Sequence, residues 1–193
     1  MKKDPLVSVI IPHRNLRPQW LAEAKESLDA QTFRDFELIE AVGEDLSKFN
    51  EGAAKAKGKY LMFLSDDDRL TPTFLEENVA WIERDGVGIS SPFLENFGDV
   101  PEGQEGRHGP VRFPLFTSLI RKSVWDSLGG YDPSMGPMMD VEFWWRCRKA
   151  GIRWSVCPGS FYYYRRHGSQ DSATADWKQA WDRLLAKHKD YSW

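Results

Sequence analysis

Short apolar runs alternate with helically spaced segments through the first ninety residues. Continuous β-branched runs that end at polar or turn residues are typical of strands buried on both faces of a parallel sheet. Such runs predict strands at 6–11, 36–42, 60–64 and 87–90. Helical spacing predicts helices at 20–30 and 51–57, and Thr71 with Pro72 predicts the start of a third helix that runs to about Arg84. The alternation predicts an α/β fold whose mostly parallel sheet is flanked by helices.

The second half of the chain has a less regular pattern. Residues 91–110 contain four glycines and three prolines and are expected to form a long surface loop. Strands are predicted at 116–120, 153–157 and 161–165, helices at 123–128 and 140–150, and a loop at 133–139. Near the C-terminus a stripe of helically spaced residues predicts an amphipathic helix that packs on the core: Trp177, Trp181, Leu184, Leu185 and His188.

The composition is that of one soluble globular domain, with 193 residues, 41% hydrophobic and 28% charged. The net charge of −3 disfavours a protein that coats nucleic acid, and the nine tryptophans suit packing as well as the binding of sugar rings or bases. Cys147 and Cys157 have no metal-finger spacing and predict free thiols in a reducing compartment. No apolar run approaches the roughly 20 residues of a membrane span. A cytoplasmic protein, or one peripheral to a membrane, is therefore expected.

Three consecutive aspartates, Asp66, Asp67 and Asp68, follow the third apolar run directly. Ligands of parallel α/β sheets bind at the carboxyl ends of the strands, which is where these acids are expected. Adjacent carboxylates repel one another unless a cation lies among them, and alternate ones, Asp66 and Asp68, can point the same way. Hard oxygen ligands of this kind suit Mg²⁺ or Mn²⁺ on a substrate diphosphate. The alternative is a solvated acidic turn that caps the next helix.

A basic, aromatic stretch runs from Phe143 to Gln170 and contains no acidic residue. Its six cations alternate with tryptophans and tyrosines, a mixture that suits a diphosphate, a sugar or a nucleic acid. The alternative is a set of ordinary helix and strand faces balanced by acids elsewhere. His167 ends the stretch; a lone histidine is more often structural, but a neutral imidazole beside carboxylates would also suit Mn²⁺.

Two glycines, Gly129 and Gly130, permit a tight turn before a helix that opens with Asp140 and Glu142. Carboxylates at a helix start are favoured by the helix dipole, so capping alone would account for Asp140. Capping leaves the rest of the segment unexplained.

Together these segments resemble the family-2 glycosyltransferases of the GT-A fold. Residues 7–15 (VSVIIPHRN) resemble the family's opening strand, and residues 56–68 (AKGKYLMFLSDDD) resemble its AKGEYIxFLDxDD element. Residues 128–132 (LGGYD) are similar to its glycine turn, residues 139–146 (MDVEFWWR) to its EDxDFWLR helix, and residues 164–169 (YRRHGS) to its late YRxHxxS element. Two departures are that Met139 replaces the glutamate of ED and that residues 40–45 lack the usual aspartate pair.

The resemblance assigns roles to individual residues. It implies a divalent metal, Mn²⁺ or Mg²⁺, held by Asp66 and Asp68 with His167. It implies that Asp140 is the general base. It implies a donor site that holds the nucleotide and sugar: Pro12, His13, Arg14, Asn15, Glu40, Asp66 and Asp67. Trp144, Arg165 and Arg166 are expected to contact the acceptor or the diphosphate.

The implied function is that of a metal-dependent, inverting hexosyltransferase that moves a sugar from a nucleotide-diphosphate sugar to an acceptor hydroxyl. Residues 1–193 would form a single GT-A domain, with a nucleotide- and metal-binding half (1–90), an acceptor-binding half (111–170) and a C-terminal helix (171–193). The first alternative is a non-catalytic GT-A module that binds a nucleotide or glycan. The second is a phosphatase of the haloacid-dehalogenase type with Asp66 as nucleophile, although Arg69 and Leu70 stand where that class has glycine and threonine. The donor sugar and base, the acceptor (glycan, lipid-linked sugar, protein or modified nucleic acid) and the oligomeric state stay open.

Overall fold

The computed structural model describes residues 3–110, 112–170 and 175–189, and its strands form one mixed sheet. The strands are β1 Val7–His13, β2 Phe36–Val42, β3 Tyr60–Phe63, β4 Arg69–Leu70, β5 Ile89–Gly98, β6 Arg107–His108, β7 Leu119–Arg121 and β8 Trp154–Arg166. Their order is β2-β1-β3-β7-β5-β8-β4, with β6 paired to β5. The longest ladders, β1 with β2 and β5 with β8, are parallel, whereas β7 is antiparallel to both its neighbours.

Helices cover both faces of this sheet. They are α1 Pro18–Asp29, α2 Ser47–Lys55, α3 Phe74–Asp85, α4 Lys122–Leu128, α5 Met139–Lys149 and α6 Trp177–Lys187, with a short 3-10 helix at Pro133–Met138. No helix in the described part of the chain is long and apolar enough to cross a membrane.

Alternation along the central strands builds two cores. Every residue of β1 is buried, because the strand lies between β2 and β3 and is covered on both faces. Ile10 faces α2, α4 and α5, whereas Val9 and Ile11 face α1 and α3. An apolar run without polar alternation is therefore the pattern this position requires.

The prediction of a surface loop over residues 91–110 is wrong for residues 91–98 and 107–108, whereas residues 99–106 do form a largely exposed loop. Strand β5 continues to Gly98, and β6 returns beside it as the second arm of a hairpin. The glycines and prolines of this segment are typical of loops, yet residues 89–91 and 93–98 of β5 pair with β8. The two short strands predicted at 153–157 and 161–165 are one strand, β8, interrupted by a bulge opposite Pro92.

The C-terminal helix is α6, and its apolar stripe packs differently from the prediction. Ala180 and Leu184 are buried, whereas Trp177, Trp181 and Leu185 are 40%, 37% and 48% exposed. Leu184 packs with Met138 and Trp145, so α6 lies on the 3-10 helix and α5 instead of on the sheet. Of the predicted helix 171–193, residues 171–174 and 190–193 lie outside the described residues.

Candidate active site

Two adjoining clefts open at the carboxyl ends of β1 and β3. The first cleft has a volume of about 370 Å³ and the second about 510 Å³. Five residues line both clefts and make them continuous: Leu46, Phe49, Ser65, Phe116 and Tyr164. The first cleft is otherwise lined mainly by the end of β1 and the acidic turn. The second is otherwise lined mainly by the 3-10 helix, the start of α5 and α6.

The three aspartates after β3 point in different directions. Asp66 and Asp67 line the first cleft, whereas Asp68 is 1% exposed and lines the second. The Asp68 carboxylate accepts a hydrogen bond from the backbone N–H of Arg165 at 2.9 Å. Burial, with the neighbouring Asp67 charge, raises the pKa of Asp68 well above its ordinary value and raises that of Asp66 as well. The acidic turn is therefore a crowded, partly desolvated group of carboxylates.

His167 joins this turn through Asp67. Its Nε2 lies 2.9 Å from Asp67 Oδ2, and its Nδ1 lies 3.1 Å from Ser169 Oγ. An Arg17 Nη1 lies 3.8 Å from the same Asp67 oxygen. The predicted grouping of Asp66 and Asp68 with His167 is not the one observed, because Asp68 turns inward to the β8 backbone while Asp67 faces the histidine.

The residues present fit a divalent metal only with help from a ligand. Within the described ranges, no three His, Cys, Asp or Glu side chains are arranged to hold a metal ion. Asp67 and His167 nevertheless offer one oxygen and one nitrogen side by side at the first cleft, with Asp66 next to them. Mg²⁺ and Mn²⁺ commonly take one or two protein ligands and complete their coordination with substrate phosphates and water. This donor set suits that mode of binding.

The end of β1 forms a wall of the first cleft. Pro12, His13 and Arg14, three of the residues predicted to bind the donor, line this cleft. Asn15 does not line it; it takes a left-handed backbone (φ 59°), and its N–H lies 3.3 Å from His13 Nδ1. Asn15 thus turns the chain after the strand, because its short polar side chain tolerates this conformation.

Glu40 is also placed differently from the prediction. Its carboxylate binds Lys25 Nζ at 2.9 Å and lies 3.5 Å from His13 Nε2, and it is not part of either cleft. Glu44, and not Glu40, lines the first cleft near the end of β2. The reason is local: Glu40 lies within β2, whereas Glu44 follows the strand and reaches the carboxyl-end edge of the sheet.

Asp140 lines the second cleft. It is the second residue of α5, after a 3-10 helix whose chain direction changes at Gly136, which has a φ of 58° that glycine adopts without strain. Its Oδ1 accepts the N–H of Val141 at 2.8 Å. Burial raises the pKa of Asp140 to about 6. A carboxylate with this pKa is ionised at neutral pH and is still basic enough to accept a proton.

The three predicted acceptor or diphosphate contacts lie outside both clefts. Trp144 is 2% exposed and belongs to the core between the sheet and α5. The Arg165 side chain donates to the Asp67 carbonyl at 2.8 Å and to Glu23 at 2.6 Å, so it braces the acidic turn from behind. The Arg166 guanidinium lies over the Tyr164 ring. These three residues of the basic, aromatic stretch therefore pack in the core or support the acidic turn and β8.

Comparison with protein families adds an independent observation. The model of "Glycosyl transferase family 2" matches residues 47–141, about half of the chain, a segment that includes the acidic turn and Asp140. The chain belongs to glycosyl transferase family 2. This membership supports the predicted glycosyltransferase and leaves the phosphatase alternative without support.

Solved structures show the same fold. TarS 1–349 of S. aureus in complex with UDP-GlcNAc superimposes with a TM-score of 0.74 at 13% identity, over 97% of this chain and 67% of that one. TarS of S. aureus gives 0.68 at 17% identity, and TarS 1–349 in complex with UDP gives 0.64 at 16% identity. Each of these two alignments covers 96% of the present chain. They cover 44% of the TarS chain and 72% of the TarS 1–349 chain in complex with UDP. These superpositions confirm the predicted GT-A fold. A separate comparison with curated protein sequences found no match.

Several residues that line the two clefts were not predicted from the sequence. Arg17 and Lys48 line the first cleft, and Trp177 and Arg183 line the second. Lys48 lies at the start of a helix and Arg17 just before one, and neither position carries a pattern of its own. The helically spaced stripe through Trp177 is the available signal, and that pattern predicts core packing instead of a cleft.

Proposed function

We propose that this family-2 chain transfers a sugar from a nucleotide-diphosphate sugar to an acceptor hydroxyl, with Asp140 as the general base. One observation carries the proposal. A half-buried carboxylate, with its pKa raised to about 6, lies in the second cleft. This cleft is continuous with the first cleft, which is lined by cations and by the acidic turn. The first cleft would hold the donor and the second the acceptor.

The first cleft has the charges that a nucleotide diphosphate requires. Arg14, Arg17 and Lys48 line it and are suited to bind phosphate oxygens, while Pro12 and Leu16 supply apolar surface for a base. The TarS 1–349 structures, which have a similar fold, were solved in complex with UDP-GlcNAc and with UDP. A uridine diphosphate sugar is therefore the donor that we propose to test first.

Asp67 and His167 would hold a Mn²⁺ or Mg²⁺ ion, with Asp66 next to them. When bound, the ion would neutralise the negative charge that develops on the leaving diphosphate. Ser169 and Arg165 support this pair: the first lies beside the other imidazole nitrogen, and the second holds the backbone of the acidic turn. The Asp68 carboxylate would fix β8, and with it His167, against the turn.

Asp140 would take the proton of the acceptor hydroxyl as that oxygen attacks the sugar. General-base catalysis of this kind contributes about 10²–10⁴-fold to a rate. Because the base acts on the acceptor and forms no covalent bond to the sugar, the reaction would be a single in-line displacement that inverts the anomeric centre. The second cleft provides the place from which the acceptor would approach.

Calorimetric titration with UDP, GDP, CDP and dTDP, each with and without Mn²⁺, tests the donor site. We expect Mn²⁺-dependent binding of one nucleotide, and loss of the Mn²⁺ dependence in Asp67→Asn and His167→Ala. His108→Ala, which alters a half-buried histidine of the β5–β6 hairpin outside both clefts, is the matched control. Undiminished Mn²⁺-dependent binding by His167→Ala would contradict the metal assignment. Failure of the folded wild-type protein to bind any of the nucleotides would contradict the donor site.

A second candidate is a GT-A module that binds a nucleotide without turnover. The observation that favours it is that Glu40 is held by Lys25 outside the clefts, so β2 brings no carboxylate of its own to the donor. Release of nucleotide from the bound sugar donor separates the two. Release that Asp140→Asn abolishes while nucleotide affinity stays unchanged supports the enzyme, and binding without release supports the module.

A further inference from the structure

Helix α6 is fixed against the second cleft by a half-buried lysine that pairs with one buried and one half-buried carboxylate. Lys187 Nζ lies 2.6 Å from Asp132 Oδ2 and 2.7 Å from Glu142 Oε1, and the Glu142 side chain is fully buried. Leu184 is also fully buried beneath the helix. Removing a partner from a buried charge is costly, so this contact specifies where α6 lies.

This placement makes α6 one wall of the second cleft, beside Asp140. Asp176, Trp177, Gln179 and Arg183 of this region all line the cleft. The match to the family model ends at residue 141, so this wall is not part of the matched family sequence. The cleft volume of about 510 Å³ is within the range of about 300–1,000 Å³ typical of small-ligand sites.

The cleft combines aromatic surface with hydrogen-bonding groups. Its aromatic residues are Phe49, Phe116, Tyr162, Tyr164 and Trp177. A pyranose ring has faces of C–H bonds that pack on an aromatic ring and an edge of hydroxyls that require hydrogen-bond partners. Trp177, 40% exposed, offers the largest such ring, and the Asp176 and Gln179 side chains lie on the same segment.

The charge of the cleft disfavours an anionic acceptor. Among the described residues, Asp68, Asp140 and Asp176 line it against one cation, Arg183. The Arg183 guanidinium already donates to the Ser134 carbonyl at 2.8 Å and to Gln179 Oε1 at 3.2 Å. A phosphate-rich polymer or nucleic acid would therefore meet carboxylates without a surplus of cations, whereas uncharged hydroxyls can bind to carboxylate and amide groups.

We propose that the α6 wall is the acceptor subsite for a neutral saccharide, and that a sugar ring of the acceptor stacks on Trp177. The proposal rests on the proposed glycosyltransfer and names its acceptor class. Trp181 provides the matched comparison, because it lies one turn further along α6 at 37% exposure and does not line the cleft.

Saturation-transfer NMR tests the proposal on the full chain with UDP and Mn²⁺ present. The neutral probes are lactose, maltose and chitobiose, and the anionic probes are sialyllactose, glycerol phosphate and a short oligonucleotide. We expect a neutral saccharide to receive saturation at its ring protons. Trp177→Ala should weaken its binding by roughly tenfold, the loss of one aromatic contact. Trp177→Phe should retain part of it, and Trp181→Ala should leave it unchanged.

Calorimetric UDP binding, measured on the same samples, separates the two levels of the argument. All three variants should bind UDP as the wild type does, which also shows that they are folded. If UDP binds but no neutral saccharide gives a signal that depends on Trp177, or if the anionic probes bind in preference, the acceptor proposal is overturned while the donor site stands. If the wild type binds a saccharide but no nucleotide, the proposed transferase function fails instead.

Discussion

The raised pKa of Asp140 predicts that the candidate catalytic base destabilises the protein. Burial raises this pKa from 3.8 to about 6, so the native state binds the proton more tightly than the unfolded chain does. The free energy of unfolding therefore falls as pH rises between about 4 and 6 and then levels off. Asp140→Asn removes the charge while retaining nearly the same shape. It should be more stable than the wild type at pH 8.

The magnitude follows from the displacement of the pKa. One pKa unit corresponds to about 1.4 kcal/mol, so a rise from 3.8 to about 6 corresponds to at most about 3 kcal/mol. Residue Asp140 keeps part of its surface accessible, so water offsets some of this cost. We expect Asp140→Asn to gain about 1–3 kcal/mol at pH 8 and well under 1 kcal/mol at pH 4.

Urea denaturation at several pH values between 4 and 8 measures this difference directly. Asp132→Asn is the control of opposite sign, because the hydrogen bond from Lys187, with the bonds from Ser134, lowers the pKa of Asp132 to about 2. That charge stabilises the native state above pH 4, and its contribution is lost as pH falls toward 2. Asp132→Asn should therefore cost about 1–2 kcal/mol at pH 8. A loss of stability in Asp140→Asn at pH 8, or a gain that does not vary with pH, would refute the reasoning.

Two further predictions concern packing and use urea denaturation at pH 7.5. Lys187→Met should lower the free energy of unfolding by about 1–3 kcal/mol, because burial opposes the charge of Glu142 while Arg146 and Lys187 hold its pKa low. Lys187→Arg should recover most of the loss, and equal stability of both variants would refute the charge argument. Gly58→Ala should cost about 2 kcal/mol or more, because an added Cβ would lie 2.6 Å from the backbone nitrogen of Ser8 in a central strand; a change below 0.5 kcal/mol would mean that the strand yields there.

Local patterns predicted the first half of the fold well. Strand β2 has the predicted bounds, and α2 and α3 overlap the predicted helices. These elements have burial patterns that a short window of sequence expresses, since Ile39 and Ala41 of the edge strand β2 alternate toward the core and a covering helix has one apolar face. The full length of strand β5 was not predicted, because its pairing with β8 extends through a segment that contains glycine and proline.

The candidate site divides along the same line. Local patterns were enough to predict that three carboxylates follow β3 at the ligand-binding edge of the sheet and that Asp140 opens a helix, because both facts depend on neighbouring residues alone. The folded chain, in contrast, was needed to show that His167 lies against Asp67, a hundred residues earlier in the chain, and that Asp68 turns inward. It also showed that Trp177 lines a cleft instead of the core. Such contacts depend on which distant elements meet, and no local pattern of residues encodes that.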